Sequence, residues 1–169
     1  EQETQAFAVP SNVGYQGCSF DVEPDASAAS YFFALPAILG GEITIEGLGV
    51  GSCQGDLAFV HALKQMGCEI QLETGSTTIA GKATQGIEID MNGISDTVQT
   101  LAAVAMFAEG PTRITGVEHI RHKETDRIED LARELRKLGP RVETFTDGLT
   151  ITPDKQQSAT IETYDDHRM

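Results

Sequence analysis

The chain has 169 residues, and its 26 Asp and Glu outnumber 12 Lys and Arg for a formal net charge of −14. That length suits a domain of roughly 100–200 residues, and an apolar content of 40% provides for a core and argues against wholesale disorder. Such acidity excludes a general nucleic-acid or anionic-membrane surface, since both need a basic face, and any anion site must work against the field of the whole molecule.

In chain order, Ser19–Glu23 alternates as a strand. Asp25 or Ser27 is placed to cap a helix from Ala28 to Leu39, whose Tyr31, Phe32, Phe33, Leu35 and Ile38 leave almost no polar face. Such a helix is expected to be buried on most sides, with Pro36 kinking or shortening it. Ile43 and Ile45 mark a half-buried strand. Asp56 is expected to cap a second helix with a Leu57, Val60, Leu63, Met66 stripe, stopped at Gly67. Ile70 and Leu72, then Thr78–Ala80, form a hairpin pair around Gly75.

The pattern then repeats. Ile87–Met91 is a strand, Asp96 is expected to cap the apolar helix Val98–Phe107, and Arg113–Thr115 is a strand. A helix from about Thr125 to Leu138 carries Ile128, Leu131, Leu135 and Leu138 on one face and stops at Gly139, and Val142–Thr146 pairs with Leu149–Thr152. "ALKQMGCEIQL" answers "ELRKLGPRVET", and "GEITIEGLG" answers "PTRITGVE". Asp25, Asp96 and Asp166 lie 71 and 70 residues apart. That period exceeds the 20–50 residues of solenoids and fits duplication of a larger unit. The fold class is α/β (α+β): repeated βαβαββ units, with buried apolar helices inside and sheets and amphipathic helices outside. A leader covers residues 1–16, a first unit 17–85, a second 86–152 and the start of a third 153–169.

Cys18, Cys53 and Cys68 are too few for a disulfide framework, and no Cys or His spacing suggests zinc. No run of about 18 apolar residues reads as a membrane span, and the polar "EQETQAFAVPSN" does not read as a signal peptide. A cytoplasmic setting follows as the default. The start without Met and the stop at "YDDHRM" read as a piece of a longer protein.

Positive charge is uneven. Up to Thr84 the only cations are Lys64 and Lys82, whereas "HIRHKETDR", His119 to Arg127, holds three of the 12 Lys and Arg and two of the four His. A helix N-terminus already carries about half a positive charge, so cations there make sense if phosphate or carboxylate binds. The alternative is a solvated loop with Lys123 and Arg127 paired to neighbouring acids. Asp165, Asp166, His167 and Arg168 form a second concentration, open to the plainer reading of a capping Asp beside a solvated His-Arg. Asp96 is open to the same reading, as an N-cap only, although Asp96 and Glu124 are also placed to divide base and acid roles.

"EPDASAASYF", "QGDLAFVHALKQMGC", "HKETDRIEDLARELRKLG" and "TYDDHRM", in this order and spacing, resemble the 5-enolpyruvylshikimate-3-phosphate synthases, across nearly the whole chain but only most of the second lobe of such an enzyme. The resemblance implies a two-lobed enolpyruvyl transferase fold with three βαβαββ units per lobe. It implies transfer of the enolpyruvyl group of phosphoenolpyruvate to the 5-hydroxyl of shikimate 3-phosphate, with release of phosphate and no metal or organic cofactor. By motif, Asp96 matches the general base, Glu124 the acid that protonates phosphoenolpyruvate, and Lys123 a contact to shikimate phosphate. Arg127 and Arg168 match cations for the phosphoenolpyruvate carboxylate and phosphate. His119 stands where many members carry Asn against shikimate phosphate, and Asp166 and His167 are supporting members of the "DDHRM" motif. The first lobe's cradle and a final lysine motif are not in this chain, so it is expected to show no turnover alone. The face left open along Ala28–Leu39 and Val98–Phe107 would suit self-association. A non-catalytic module of the same fold, or the sister transferase acting on UDP-N-acetylglucosamine, are the alternatives.

Overall fold

The computed structural model describes residues 8, 10, 11 and 14–169; most of the expected leader therefore lies outside the described residues. Helix α1 (Ala26–Leu39) leads to strand β1 (Glu42–Glu46), helix α2 (Phe59–Gln65) and strands β2 (Glu69–Leu72) and β3 (Ser76–Ala80). Strand β4 (Glu88–Asp90), helix α3 (Val98–Ala105), strand β5 (Thr112–Thr115), helix α4 (Arg127–Leu138) and strands β6 (Arg141–Phe145) and β7 (Gly148–Thr152) follow. Turns of 3₁₀ helix at Gly55–Ala58, Asn92–Thr97 and Glu118–His122 precede α2, α3 and the loop before α4.

The strands form two sheets, ordered β1-β3-β2 and β4-β5-β7-β6. β3 pairs antiparallel with both neighbours, placing Ile79 opposite Ile43 and Ile70. β7 does the same between β5 and β6, with Leu149 opposite Ile114 and Thr144. The two halves thus share one plan, the middle strand coming last in sequence. β4 adds a parallel edge to the second sheet.

The first sheet has no such strand. Residues 14–25 carry no strand, and Phe20 and Val22 are 80% and 82% exposed. The expected strand Ser19–Glu23 is therefore corrected: alternation describes a face, but a strand also needs a neighbour for its N–H and C=O groups. Among the described residues none pairs with this segment.

The core lies between the sheets and the apolar helices, with Phe33, Phe59, Leu63, Ile79, Leu101, Ile114, Ile128 and Ile151 all buried. α1 and α3 pack together, and Ser30 and Thr100, 70 residues apart, join their hydroxyls at 2.9 Å. Pro36 sits inside α1 without ending it, and the helix closes at Leu39 with the Gly40 N–H bonded to the Pro36 carbonyl at 2.7 Å. Proline supplies no N–H to the helix ladder at this position, and the helix ends three residues later. Gly139 ends α4 at φ 118°, where a Cβ would stand 2.2 Å from the Lys155 carbonyl oxygen, so both conformation and space demand glycine.

An open apolar groove of about 500 Å³ runs between α1, α3 and α4, lined by Tyr31, Ala34, Gln99, Leu131, Leu135 and Ile161 among others. The Gln99 carboxamide faces it buried, with neither its oxygen nor its nitrogen partnered. The expected burial of α1 on most sides is corrected: Tyr31, Phe32, Leu35 and Leu39 are exposed, as is Phe107 on the segment after α3, and α1 is covered along the side of Ala26, Ala29, Phe33 and Ala37. Among the described residues no helix is long and apolar enough to cross a membrane.

Candidate active site

Of the expected helix caps, only Asp25 caps a helix N-terminus among the described residues. Asp25 accepts hydrogen bonds from the Ser27 and Ala28 N–H groups at 2.8 and 3.0 Å. Those bonds hold its carboxyl below the usual carboxylate range. Asp126, which the sequence reading did not single out as a cap, caps α4, accepting from the Ile128 and Glu129 N–H groups at 3.1 Å. α4 accordingly starts at Arg127, two residues later than the periodicity suggests.

Asp56 and Asp96 do not cap. Asp56 lies within the Gly55–Ala58 turn and accepts from the Ser27 hydroxyl. With Gln54, which accepts from the Ala26 N–H at 2.8 Å and donates to the Pro24 carbonyl at 2.7 Å, it secures the start of α1. Thr97 is the N-cap of α3 and makes no side-chain cap bond. Asp96 lies inside the 3₁₀ turn Asn92–Thr97, which has a non-helical Ile94 at φ −137°, and accepts no described hydrogen bond from an α3 N–H group. The expectation of Asp96 as a cap is corrected on that ground.

Asp96 instead faces three cations. Its Oδ1 is 3.7 Å from Lys123 Nζ and 3.2 Å from Arg127 Nη1, and its Oδ2 is 3.8 Å from Arg168 Nη2. These cations come from the loop before α4, the first residue of α4 and the turn after Asp166. The two basic concentrations in the sequence are therefore one cluster in space, set at the starts of α1, α3 and α4.

Arg127 is its centre. It is 1% exposed, the largest fully buried side chain described. Its Nε and Nη2 form a fork on Asp166, at 2.7 Å to Oδ2 and 2.9 Å to Oδ1. Nη2 also reaches Glu124 Oε2 at 2.8 Å. Burial alone would disfavour the guanidinium charge, but Asp166, Glu124 and Asp96 together raise its affinity for the proton above the ordinary arginine value. Burial likewise pushes Asp166 up, and is overcome by the Arg127 fork and the Arg168 N–H, so its carboxyl titrates below the usual range.

Asp166 has two tasks. Its Oδ1 accepts the Arg168 N–H at 2.9 Å, the geometry of a helix cap, while both oxygens receive Arg127. His167 projects toward Glu124, Nδ1 to Oε1 3.5 Å. His119 stands at the edge of the cluster, its Nε2 3.0 Å from the Ser95 hydroxyl. Arg168 has one buried, unpartnered nitrogen, Nε. Burial lowers its proton affinity, and Tyr31, Asp96 and Asp25 more than restore it.

The structure thus joins Asp96, Lys123, Glu124, Arg127, Asp166, His167 and Arg168, and seats His119 beside them. Arg127 spends its donors on three carboxylates of the protein, leaving Lys123, with its side chain 39% exposed, as the more reachable cation, while Arg168 Nε is unpartnered but buried. Sequence reasoning did not find Tyr31, Ser95 or Arg121. Tyr31 and Ser95 carry no signal in a lone sequence. Arg121 lies within the basic run, and the structure uses it as a clamp. It donates to Asp126 at 2.9 Å and to the Thr146 and Phe145 carbonyls at 3.0 and 2.6 Å, tying the Lys123–Glu124 loop to the β6–β7 turn.

Glu124, Asp166 and His167 place one ligand atom each within 4.8 Å of one another. A metal there would have to displace the guanidinium fork from Asp166, because both of that carboxylate's oxygens already accept hydrogen bonds. The donor set fits the arginine better than a cation.

A family model described as EPSP synthase (3-phosphoshikimate 1-carboxyvinyltransferase) matches residues 1–169. A 3-phosphoshikimate 1-carboxyvinyltransferase of Nostoc punctiforme is 52% identical over 96% of this chain and 38% of its own length. One of Photobacterium profundum is 47% identical over 99% of this chain and 40% of its own. An EPSP synthase structure from Acinetobacter baumannii superposes with a TM-score of 0.75 at 27% identity, covering 87% of this chain and 38% of that one. The enolpyruvyl transferase NikO from Streptomyces tendae, at 21% identity and a TM-score of 0.61 over 78% of this chain and 31% of that one, shares the fold. The chain spans about two fifths of the length of the curated relatives it matches. It belongs to the EPSP synthase (3-phosphoshikimate 1-carboxyvinyltransferase) family.

Proposed function

We propose that this chain forms one side of the active site of an enolpyruvyl transferase that moves the enolpyruvyl group of phosphoenolpyruvate to the 5-hydroxyl of shikimate 3-phosphate. The observation that carries the reading is the convergence of Lys123, Arg127 and Arg168 on Asp96, at 3.7, 3.2 and 3.8 Å. A carboxylate ringed by cations suits a reaction that removes a hydroxyl proton beside phosphate and carboxylate groups.

In this reading Asp96 takes the proton of the 5-hydroxyl as its oxygen attacks C2 of phosphoenolpyruvate. Glu124 delivers a proton to the vinyl carbon, giving a tetrahedral intermediate. Loss of a proton from that carbon and departure of phosphate then restore the double bond. Lys123 contacts shikimate phosphate, with His119 at the edge of the same region. Arg168 and Arg127 meet the anionic groups of phosphoenolpyruvate, Arg127 releasing one of its carboxylates to do so. Asp166 and His167 hold Arg127 and Glu124 in place. No cofactor is needed for these steps.

The same reading divides the chain into a leader at 1–16, a first unit at 17–85 that lacks its opening strand, a βαβαββ unit at 86–152, and the beginning of a third at 153–169. It assigns the protein to aromatic amino-acid biosynthesis through chorismate, in the cytoplasm. The remaining cations for two phosphorylated substrates come from outside this chain, whose balance is −14. Phosphate release with both substrates tests the reading. The chain alone is expected to release none, and a chimera in which it replaces the matching stretch of the Nostoc punctiforme relative is expected to turn over. An inactive but folded, substrate-binding chimera would count against it.

A further inference from the structure

Tyr164 and Asp165 are consecutive, neither is glycine, and both hold left-handed backbone conformations, φ 55° and 54°. Side-chain-bearing residues enter that region at a cost and stay only where the surroundings fix them. The next residue is Asp166, 3% exposed and locked into the Arg127 fork.

The fixing contacts come from α4. Glu134 lies seven residues after Arg127, two turns along the same face, and is 3% exposed. Its Oε1 accepts from the Tyr164 hydroxyl at 2.5 Å, and its Oε2 accepts from the Glu162 N–H at 3.0 Å and Lys137 Nζ at 2.7 Å. Arg133 donates to the same hydroxyl at 3.2 Å and lies 5.7 Å from the ring centroid. One carboxylate therefore holds the chain on both sides of Thr163, immediately before the left-handed pair.

We propose that Glu134 and Tyr164 form a latch that holds the left-handed Tyr164–Asp165 turn and so seats Asp166 on Arg127, making Glu134 a positioning residue of the site. Glu134 touches none of Asp96, Lys123 or Glu124 by any described hydrogen bond or ion pair. It acts through the backbone of residues 162–166. The meaning of the latch for group transfer rests on the function proposed above, but the latch itself does not.

Hydrogen exchange of the Arg127 Nε–H, followed by ¹⁵N NMR on this chain without substrate, tests it, because that proton lies in the bond to Asp166. Glu134→Gln is expected to speed its exchange at least about tenfold, the scale of a lost hydrogen bond to a charged group, while the α4 amides keep their protection. Adding Asp165→Gly, which suits φ 54°, is expected to restore at least part of that protection. Gln157→Ala, which removes a bond to the Lys137 carbonyl in the same returning segment, is expected to leave it unchanged. Should Glu134→Gln unfold the chain, Tyr164→Phe decides instead, removing one hydroxyl and keeping the ring. Unchanged Arg127 exchange in the folded variant, failure of Asp165→Gly to restore it, or an equal loss in Gln157→Ala would each overturn the proposal. An intact latch with an inactive chimera would instead count against the proposed function.

Discussion

Arg127 and Asp166, 39 residues apart in sequence, form a two-pronged ion pair with contacts of 2.7 and 2.9 Å, and neither side chain is more than 1% exposed. The pair joins the first residue of α4 to the returning chain. It also aims the rest of the guanidinium at Asp96 and Glu124. Structure and proposed chemistry therefore meet in one contact.

Removing one member of a buried pair leaves the other charged and unpaired, at a cost of about 3–5 kcal/mol. Arg127→Met is expected to fall in that range by urea denaturation. Arg127→Lys is expected to recover only part of it, since an ammonium cannot reproduce the fork. Equal stability of Arg127→Lys and the parent chain would show that the fork geometry is dispensable.

Acid stability should report Glu134. Burial would raise its pKa, but bonds from Lys137, Tyr164 and the Glu162 N–H outweigh that and hold it at about 2, against an ordinary 4.5. The folded state thus binds this proton more weakly than the unfolded chain does. Its stabilising contribution is complete above pH 4.5 and is lost as the pH falls toward about 2. The difference in urea midpoint between the parent chain and Glu134→Gln should accordingly be constant near neutrality and shrink across that window. A difference that grows on acidification would reverse the assigned sign.

Asp25 and Asp96 occupy matching places in the repeat yet should respond differently. Asp25→Ala removes a working cap and is expected to cost about 1 kcal/mol. Asp96→Asn removes no cap but weakens the ion pairs to Lys123, Arg127 and Arg168, so its cost is expected to shrink with added salt, whereas that of Asp25→Ala is expected to change little. A cost at Asp96 as insensitive to salt as that at Asp25 would restore the cap reading of Asp96.

The two sheets and four helices were largely legible because their signals are local. α4 shows its apolar stripe at helical spacing, and β2–β3 and β6–β7 show alternation around a glycine. The segment Ser19–Glu23 alternates just as clearly but has no strand beside it, a fact no local pattern contains. The site residues were legible as motifs, whereas their arrangement was not. Nothing near Asp96 in sequence announces that Lys123, Arg127 and Arg168, 27 to 72 positions downstream, will surround it. Glu134 reads as one more charge on an amphipathic helix, and only the returning chain buries it.

The most direct test is Asp96→Asn in the chimera with the Nostoc punctiforme relative, read by phosphate release from both substrates. Loss of a general base is expected to lower kcat by about 10²–10⁴-fold, with folding and substrate binding retained. A kcat within a few-fold of the unmutated chimera would contradict the central claim that the cluster around Asp96 is the reacting end of the site.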